Sequence, residues 1–307
     1  MTNNIAVIIL SYNNVDDTLA CIQSIAASNA EGLIHIYAVD NGSRPEIVQQ
    51  LQKEIQKFST VTLILSEKNL GFAAGMNIGI RKALAGGADY VLILNNDTIL
   101  NENTILELVK GFALKANVAI TVPKILYYDD QSTLWYAGSK KALPYSKHRG
   151  LGQKDKGQFD EVEEIDFATG CAMLIKAGVL KEIGLLDERY FFGMEDREFS
   201  IRCLREGYTI LYIPTSVVYH KVGLTRNRDV HFDRIYLGYL SQLFYIRTTM
   251  GKLKWISWFI FYGFYLTFLL PLRIIIINGF SGWLSKSKAA LLAWSKAWRA
   301  KRAWPLE

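Results

Sequence analysis

Cysteine is scarce in this sequence of 307 residues, and its three cysteines, Cys21, Cys171 and Cys203, lie far apart. No pair has the CxxC spacing of a structural zinc site, and so few separated thiols do not form the disulfide framework of a small secreted domain. The N-terminal stretch MTNNIAVIILSYNN has no basic residues of the kind that begin a secretory signal peptide, and its apolar run is short. We therefore expect a protein of a reducing, cytosolic environment.

Acidic residues are almost absent from the end of the chain. After Gly251 the sequence has nine Lys and Arg but a single acid, Glu307, whereas the net charge of the whole chain is +6. The first 251 residues are therefore slightly acidic, which indicates that this part does not bind nucleic acid. Half of all residues are hydrophobic and 12% are aromatic, so we expect a large core and no extensive disorder.

Short apolar runs alternate with helical patterns through the first half of the chain. The predicted strands are apolar almost throughout, as in a parallel sheet covered on both faces, and comprise Ile5–Leu10, Ile34–Val39, Val61–Leu65, Tyr90–Leu94 and Val118–Val122. Apolar residues at helical spacing predict helices between them, over Asp16–Ala27, Pro45–Lys57, Ala73–Ala85 and Glu102–Lys115. Units of this size indicate a doubly wound α/β sheet, which binds ligands at the carboxyl ends of its strands.

The alternation weakens after Pro123. We interpret the polar, glycine-containing segment Tyr127–Glu164 as an irregular excursion or a lid. Regular structure is predicted again over Phe167–Lys176, over a helix at Met194–Glu206 and over a strand at Thr209–Ile213.

The last part of the chain has a different character. Trp255 to Leu272 contains no charged residue, and a helix of this length would rise about 27 Å, barely enough to span a bilayer. Farther on, apolar residues recur at helical spacing among Lys and Arg, at Leu284, Leu291, Trp294 and Trp298. Basic, Trp-rich amphipathic helices are typical of membrane surfaces, and basic residues on both flanks favour monotopic or re-entrant insertion over a crossing. Alternatively, two apolar helices form the core of a homo-oligomer.

Two polar clusters follow the first two predicted strands. In Ser11-Tyr12-Asn13-Asn14, an exposed Tyr12 beside amides suits a nucleobase, whereas the same residues also suit a turn in which Asn caps a helix. In Val39-Asp40-Asn41-Gly42-Ser43, Asp40 is able to accept a hydrogen bond from a base or a ribose hydroxyl, but Asn-Gly is also a common turn.

A third cluster, NLGFAAGMNIGI, places Gly71, Gly75 and Gly79 on one stripe of a predicted helix. No GK[ST] follows, so the segment is not a P-loop. The start of such a helix suits a diphosphate, and close packing against the sheet explains the glycines equally well.

The fourth cluster, Asn95-Asn96-Asp97, directly follows the apolar run Val91–Leu94. A carboxylate with neighbouring amides is a candidate site for Mg²⁺ or Mn²⁺, which take one or two carboxylates together with phosphate oxygens and water. Alternatively, Asn95 or Asp97 caps the next turn.

Two further features carry ionisable groups. Glu195 and Asp196 stand where an aromatic-rich loop enters a helix, a position that the helix dipole favours and that also suits a general base of raised proton affinity. His220 ends the apolar run Val217-Val218-Tyr219, and a single His of this kind is either a structural residue or a ligand.

Seven segments, in this order and spacing, resemble glycosyltransferase family 2, the inverting enzymes with a GT-A fold: SYNN, VDNGS, NLGFAAGMNIGI, LNNDT, ATGCAMLIK, MEDREFSIRCLREGY and VVYHKVG. They span roughly residues 5–225 and are most similar to bacterial rhamnosyltransferase-like members of cell-surface polysaccharide synthesis. The resemblance implies a GT-A catalytic domain over residues 1–251, Rossmann-like with a mostly parallel sheet flanked by helices. Membrane-associating helices over residues 252–307 would follow it.

The resemblance also implies roles for single residues. The nucleotide-sugar would contact Ser11, Tyr12, Asn14, Asp40, Gly71, Asn77, Asn96, Thr169 and Gly170. Asp97 and His220 would hold Mg²⁺ or Mn²⁺ against the diphosphate. Asp196 would be the general base for an acceptor hydroxyl, and Glu195 would position it or contact the acceptor. Asn95 stands where many relatives have Asp, so one potential carboxylate ligand is missing.

We therefore expect an inverting transferase at the cytoplasmic face of a bacterial inner membrane, contacting lipid through residues 255–307. It would move a sugar from a nucleotide-diphosphate sugar to a lipid-linked glycan acceptor. The first choice of donor is dTDP-L-rhamnose, and the alternative donor is a UDP-sugar of glucose, galactose or galactofuranose. A nucleotidyltransferase has a similar sheet, but no basic, Gly-rich triphosphate loop lies near the N terminus. An inactive membrane scaffold would lack the base, and Asp196 is present. No nucleic-acid partner is expected, and a homo-oligomer remains open.

Overall fold

A computed structural model describes residues 4–30, 33–142, 146–222, 232–249, 251–265, 268, 283–301 and 303. The strands are β1 (Ile5–Ser11), β2 (Ile34–Asp40), β3 (Val61–Leu65), β4 (Tyr90–Asn95), β5 (Thr98–Leu100), β6 (Val118–Tyr127), β7 (Leu134–Tyr136), β8 (Ser139–Lys140), β9 (Lys147–His148), β10 (Glu163–Ile165), β11 (Ala172–Lys176) and β12 (Thr209–His220). The helices are α1 (Val15–Ala26), α2 (Pro45–Ile55), α3 (Gly71–Ala85), α4 (Thr104–Gly111), α5 (Ala177–Ile183), α6 (Glu195–Arg205), α7 (Phe232–Thr249), α8 (Lys252–Phe264) and α9 (Trp283–Ala297).

One sheet of ten strands organises the structure, in the order β10-β12-β6-β11-β4-β1-β2-β3, with β5 paired to β12 and β7 to β6. Strands β4, β1, β2 and β3 are parallel neighbours, while β11 runs antiparallel between β4 and β6. Register pairs Leu10 with Asn95 and Ser11 with Asp40, so the polar clusters that follow three strands meet at one edge. The predicted α/β fold with a mostly parallel sheet is confirmed.

The glycines of α3 allow this helix to pack closely on the sheet. A Cβ atom on Gly75 would lie 2.6 Å from Cδ1 of Leu10, and one on Gly79 would overlap Ile8. Gly71 begins the helix with φ +82°, two residues before the predicted start at Ala73. Close packing, one of the two explanations that the sequence left open, therefore accounts for Gly75 and Gly79.

Strand β6 continues past Pro123 to Tyr127, whereas the prediction ended it at Val122. Proline lacks the N–H that a ladder needs, and the register between β6 and β12 shifts at this place, where Ile213 is opposite Pro123 and Val217 is opposite Lys124. The same pairing extends β12 to His220, seven residues beyond its predicted end at Ile213. The longer strand carries His220 to the edge of the sheet that holds the polar clusters.

Part of the segment 127–164 is anchored to the sheet, in contrast to its interpretation as an irregular excursion or lid. Strand β7 pairs with β6, and β10 pairs with β12. The ammonium group of Lys124, on β6, forms ion pairs with Asp155 and Asp160, the first at 2.8 Å. This segment therefore forms a wall above one end of the sheet.

Helices α7, α8 and α9, together with Ala303, form what we call the C-terminal layer, which has its own hydrophobic cluster. The buried face of α9 includes alanines at a spacing of four, Ala289, Ala293 and Ala297. Trp294 stacks on Phe259 of α8 at a centroid distance of 4.7 Å. Small side chains allow α9 to approach its neighbours closely, which the sequence pattern of large apolar residues did not indicate.

The apolar residues predicted at helical spacing lie in two environments. Trp294 and Trp298 both contact Phe259 of α8, at ring-centroid distances of 4.7 and 5.2 Å, although about half of Trp298 is exposed. Leu291 is exposed, and the side chain of Leu284 lies outside the described residues. Helix α8 ends at Phe264, and residues 266, 267 and 269–272 of the predicted apolar stretch also lie outside the described part. Among the helices that are described, none combines the length and the apolar character needed to cross a bilayer.

Candidate active site

A pocket of about 450 Å³ opens at the edge of the sheet where β1 and β4 end and β11 begins. The N–H of Asn95 donates a hydrogen bond of 2.9 Å to the carbonyl of Cys171, which joins the end of β4 to the start of β11. Seven of the predicted site residues line the pocket, namely Asn96, Asp97, Thr169, Gly170, Glu195, Asp196 and His220. The structure thus brings together predicted residues from four different segments of the chain.

Asp97 and His220 form one wall of the pocket. Nε2 of His220 lies 3.1 Å from Oδ1 of Asp97, and both side chains are largely buried. Their backbones are also joined, because β12 pairs with β5 and the N–H of Lys221 donates to the carbonyl of Asp97. Nδ1 of His220 is buried and has no hydrogen-bond partner among the described residues.

The donor atoms of this wall suit a hard divalent cation. Within the described residues, no three His, Cys, Asp or Glu side chains are placed to hold one metal ion together, so Asp97 and His220 make a candidate site with two protein ligands. Mg²⁺ and Mn²⁺ commonly bind to one or two carboxylates and complete their shells with phosphate oxygens and water. The residues therefore fit a metal that is shared between protein and a phosphate-bearing ligand.

Glu195 and Asp196, at the first turn of α6, form another part of the pocket wall. Oδ2 of Asp196 accepts a hydrogen bond of 3.0 Å from the N–H of Gly170, and Oδ1 accepts one of 2.8 Å from the N–H of Arg197. Burial raises the pKa of Asp196 above its ordinary value in spite of these bonds and of the nearby Arg197 charge. Asp196 thus faces the pocket in a fixed orientation and holds a proton more tightly than an exposed carboxylate.

Glu195 is more deeply buried than its neighbour. Burial, together with the negative charge of Asp196, raises the pKa of Glu195 to about 8. Its Oε2 atom has no hydrogen-bond partner in the described part of the chain. Two adjacent carboxyls with raised proton affinity are suited to accept a proton from a bound hydroxyl group.

The polar cluster after β1 lies beside the pocket, next to Leu10 in its wall. Asn14 caps α1, because its side chain accepts a hydrogen bond of 3.2 Å from the N–H of Asp17. Ser11 is buried and accepts a hydrogen bond from the hydroxyl of Thr18, while about half of the Tyr12 side chain is exposed. The capping interpretation of Asn14 is confirmed, and Tyr12 is free of the core.

Asp40 is buried at the end of β2. Its Oδ1 accepts a hydrogen bond of 2.9 Å from the N–H of Ser43, as in a turn, whereas Oδ2 is buried without a partner in the described chain. A buried carboxylate oxygen without a donor is costly, so a ligand that donates a hydrogen bond would satisfy it.

The structure does not bring Asn77 or Gly71 to the pocket. The amide of Asn77 is buried and is used by three hydrogen bonds, to the backbone N–H and carbonyl of Leu186 and to Glu188. Gly71 instead allows α3 to approach the backbone of Phe191, where any Cβ atom would collide. Both residues therefore shape the surrounding framework.

Three aromatic side chains line the pocket. Phe192 belongs to the aromatic-rich loop that the sequence places before Glu195, whereas the sequence interpretation missed Phe72 and Trp135. Trp135 contacts both His220 and His148 edge to face, at centroid distances of 4.6 and 4.7 Å. Burial lowers the pKa of His148 to about 4, so this ring is neutral at pH 7. A tryptophan in an otherwise polar stretch was the one available signal.

The basic residue Lys221 was also missed. Its ammonium group forms an ion pair of 2.9 Å with Asp17, at the start of α1, and lies over the ring of Tyr128. This ion pair holds Lys221, the residue after His220, against α1.

Comparison with known proteins identifies the family of this chain. The sequence pattern of the family described as Glycosyl transferase family 2 matches residues 6–184. The low-salt glycan biosynthesis hexosyltransferase Agl10 of Haloferax volcanii is 26% identical over 263 residues, which cover 82% of this chain and 78% of that protein. The dTDP-rhamnosyl transferase RfbF of Shigella flexneri is 25% identical over 226 residues, covering 73% and 71%.

A solved structure extends the comparison to almost the whole chain. The mannosyltransferase PcManGT from Pyrobaculum calidifontis, in complex with GDP-Man and Mn²⁺, matches with a TM-score of 0.63 over 98% of this chain and 89% of its own, at 14% identity. At that identity the likeness establishes the fold, which is GT-A-like with a mixed, mostly parallel sheet and flanking helices. Because the family pattern covers more than half of the sequence, the chain belongs to glycosyl transferase family 2 and is a glycosyltransferase.

Proposed function

We propose that this glycosyltransferase moves a sugar, with inversion, from a nucleotide-diphosphate sugar to a lipid-linked glycan acceptor in cell-surface polysaccharide synthesis. dTDP-L-rhamnose is the first choice of donor, in keeping with the name of the relative from Shigella flexneri. The observation that carries the proposal is the pocket itself, which has Asp97 and His220 in one wall and Asp196 in another. Transfer needs metal ligands beside the anionic diphosphate and a base beside the hydroxyl nucleophile, and this pocket contains candidates for both.

The proposed reaction is a single displacement. The acceptor oxygen bonds to the anomeric carbon while the bond from that carbon to the diphosphate oxygen breaks, and the hydroxyl proton passes to the carboxylate of Asp196. Asp196 is suited to this role because hydrogen bonds from the Gly170 and Arg197 amides orient it toward the pocket. Attack on the face opposite the leaving group gives inversion.

Asp97 and His220 would hold Mg²⁺ or Mn²⁺ next to the diphosphate. A bound divalent cation supplies positive charge that stabilises the departing diphosphate. Asp40 would accept a hydrogen bond from the nucleoside with its unpaired Oδ2, and the exposed Tyr12 ring would pack on the base. These residues stand at the ends of β2 and β1, next to the wall that contains Leu10.

The C-terminal layer would place the enzyme on an anionic membrane surface. One face of α8 exposes Leu253, Ile260, Phe261 and Phe264, of which Leu253 is 82% exposed and Ile260 is 66% exposed. Lys252 and Lys254 begin the same helix, and basic residues of α9 are also exposed. Apolar side chains beside Lys suit the boundary between headgroups and acyl chains, where a polyprenyl-linked acceptor would present its hydroxyl. We place the protein on the cytoplasmic face of a bacterial inner membrane.

A screen of donors with the full-length protein tests the function. Thermal shift is measured with dTDP-rhamnose, UDP-glucose, UDP-galactose and UDP-galactofuranose, each with Mn²⁺ and with EDTA, and transfer to a polyprenyl-diphosphate sugar is then followed. We expect dTDP-rhamnose with Mn²⁺ to give the largest shift and a glycosylated lipid with inverted configuration. A larger shift with a UDP-sugar would identify that UDP-sugar, and not dTDP-rhamnose, as the donor. Pyrophosphate release from a nucleoside triphosphate would indicate a nucleotidyltransferase instead.

A further inference from the structure

The loop that leads into the proposed base lies between the catalytic sheet and the C-terminal layer. We call residues 189–194 the coupling loop. On its inner side, the carbonyl of Phe191 accepts a hydrogen bond of 2.7 Å from the N–H of Phe72 at the start of α3. Phe192 and Gly193 of the same loop line the pocket. The loop is therefore part of the site, and on its inner side it is hydrogen-bonded to α3.

The outer side of the coupling loop pairs with the end of the chain. The N–H of Ala303 donates a hydrogen bond of 2.7 Å to the carbonyl of Arg189, and the N–H of Phe191 donates one of 2.9 Å to the carbonyl of Ala303. Tyr190 and Ala303 thus form a parallel β-bridge, and both residues are fully buried. The last described residue of the C-terminal layer acts as a short strand beside the loop.

Helix α7 holds the loop at a second place. The hydroxyl of Ser241, which is fully buried, donates a hydrogen bond of 2.9 Å to the carbonyl of Phe192. The ring of Tyr190 packs edge to face on Phe244 at 5.2 Å. Tyr190 and Met194 belong to the hydrophobic cluster of the C-terminal layer and not to the core of the sheet. The two ends of the loop are therefore anchored in that layer.

The layer itself is locked around the residue that pairs with the loop. The guanidinium group of Arg247, on α7, donates hydrogen bonds to the carbonyls of Ala297, at 2.6 Å, Trp298, at 2.7 Å, and Ala300. The first of these carbonyls ends α9 and the other two lie between α9 and Ala303, so Arg247 ties the segment before Ala303 to α7. The C-terminal layer in turn contacts the coupling loop through Ser241 and Ala303.

The base follows directly. Met194 has φ +77°, a left-handed conformation that a side chain rarely adopts, and Glu195 and Asp196 are the next two residues. We propose that the C-terminal layer positions the general base of the transfer reaction through the coupling loop, and that Ser241 is a positioning residue. This inference rests on the proposed function in that Asp196 is taken as the base. The C-terminal layer, which we propose contacts lipid, would thereby also influence kcat of the transfer reaction.

Substitution of Ser241 tests the proposal in the full-length protein. Ser241→Ala removes the hydroxyl that holds Phe192, and the matched control Ser295→Ala removes a hydroxyl of α9 that bonds only to the carbonyl of Leu292 in its own helix. Hydrogen exchange is measured without any substrate, and kcat and the donor KM are measured in the transfer assay. We expect Ser241→Ala to speed amide exchange in residues 190–196 about fivefold, as loss of one hydrogen bond does, and to lower kcat about tenfold with the donor KM nearly unchanged. Ser295→Ala should leave all three quantities at their wild-type values.

A second pair of variants addresses the β-bridge. Ala303→Pro removes the N–H that bonds to Arg189, whereas Ala303→Gly keeps both hydrogen bonds. The proline variant should reproduce the effects of Ser241→Ala, and the glycine variant should not.

The inference would be overturned if residues 190–196 exchanged their amide hydrogens at the wild-type rate in both Ser241→Ala and Ala303→Pro. It would also be overturned if Ser295→Ala raised this rate as much as Ser241→Ala does. If Asp196→Asn abolishes transfer while Ser241→Ala keeps the wild-type kcat, the inference fails and the proposed function stands. If the wild-type protein transfers no sugar, the proposed function fails, and hydrogen exchange still decides whether the C-terminal layer holds the coupling loop.

Discussion

Nε2 of His220 lies 3.1 Å from Oδ1 of Asp97, although 123 positions separate the two residues in the sequence. Strand β12 has to continue past its register shift opposite Pro123 to place His220 there, and β4 has to end at Asn95 to leave Asp97 at the edge of the sheet. This meeting of two strand ends gives the pocket its proposed metal-binding wall.

Removal of either ligand should abolish the effect of metal on donor binding. In titration calorimetry, we expect Asp97→Asn and His220→Gln to lower the affinity for the nucleoside diphosphate in Mn²⁺ by at least about tenfold, to the value measured in EDTA. His148→Gln is the matched control, because His148 contacts the same Trp135 ring but lies outside the pocket lining. Wild-type metal dependence in both variants would show that the cation binds elsewhere.

Glu195 should make the protein less stable as the pH rises. Its pKa is raised to about 8 in the folded protein, whereas an exposed glutamate has a pKa near 4.5, so the folded state binds more protons between these values. The stabilisation is fully present below about pH 4.5 and is lost as the pH rises through about 8. We expect Glu195→Gln to raise Tm relative to wild type by roughly 2–4 °C at pH 8.5 and to have little effect at pH 4.5.

The control for this prediction is Glu206→Gln, which changes an exposed glutamate just after α6. It should leave the difference in Tm between pH 4.5 and pH 8.5 at its wild-type value. A Glu195→Gln variant with the same pH dependence as wild type would refute the raised proton affinity of this carboxyl.

A methyl group at Gly79 should disturb the contact between α3 and the sheet. The new Cβ atom would overlap Ile8 and lie 3.2 Å from Cγ2 of Val39, both in buried strands. We expect Gly79→Ala to lower the free energy of unfolding by about 1–3 kcal/mol in urea denaturation. Gly178→Ala, in α5, meets no atom within 4 Å and should instead stabilise the protein by about 0.5–1 kcal/mol, and the same sign for both variants would contradict close packing of α3.

The sequence predicted the sheet well, because the evidence for it is local. Strands β1, β2 and β4 are apolar almost throughout, and each ends in a polar cluster, so their place in a parallel sheet follows from the local pattern of apolar residues. The resemblance then joined Asp97 to His220 as metal ligands, and the structure places these two side chains in contact. The hydrogen bond from Gly170 to Asp196 was not predicted.

Contacts between distant segments could not be predicted in this way. Trp135 lines the pocket only because β7 pairs with β6 beyond Pro123, where a proline normally indicates the end of a strand. Asn77 shares α3 with Gly71, which was also predicted to bind the ligand, yet its amide bonds to Leu186, more than 100 positions away. The bridge between Tyr190 and Ala303 has no sequence pattern at all.

Loss of the exposed apolar face of α8 should release the protein from lipid. We expect the variant with Leu253, Ile260, Phe261 and Phe264 all changed to Ser to lose co-sedimentation with vesicles that contain anionic lipid, because each buried apolar side chain contributes about 1.5–3 kcal/mol. A control with Leu65, Leu114 and Leu151 changed to Ser removes exposed leucines of the catalytic domain and should sediment like wild type. Persistent sedimentation of the α8 variant would contradict the membrane proposal.

The central claim is that Asp196 accepts the proton of the acceptor hydroxyl in transfer from a nucleotide-sugar. The most direct measurement is kcat for Asp196→Asn together with its affinity for the donor, beside the exposed control Asp129→Asn. We predict that kcat falls by about 10²- to 10⁴-fold while donor affinity stays close to the wild-type value, because a carboxamide keeps the shape of the side chain but cannot take the proton. Near-normal turnover by Asp196→Asn would contradict the account.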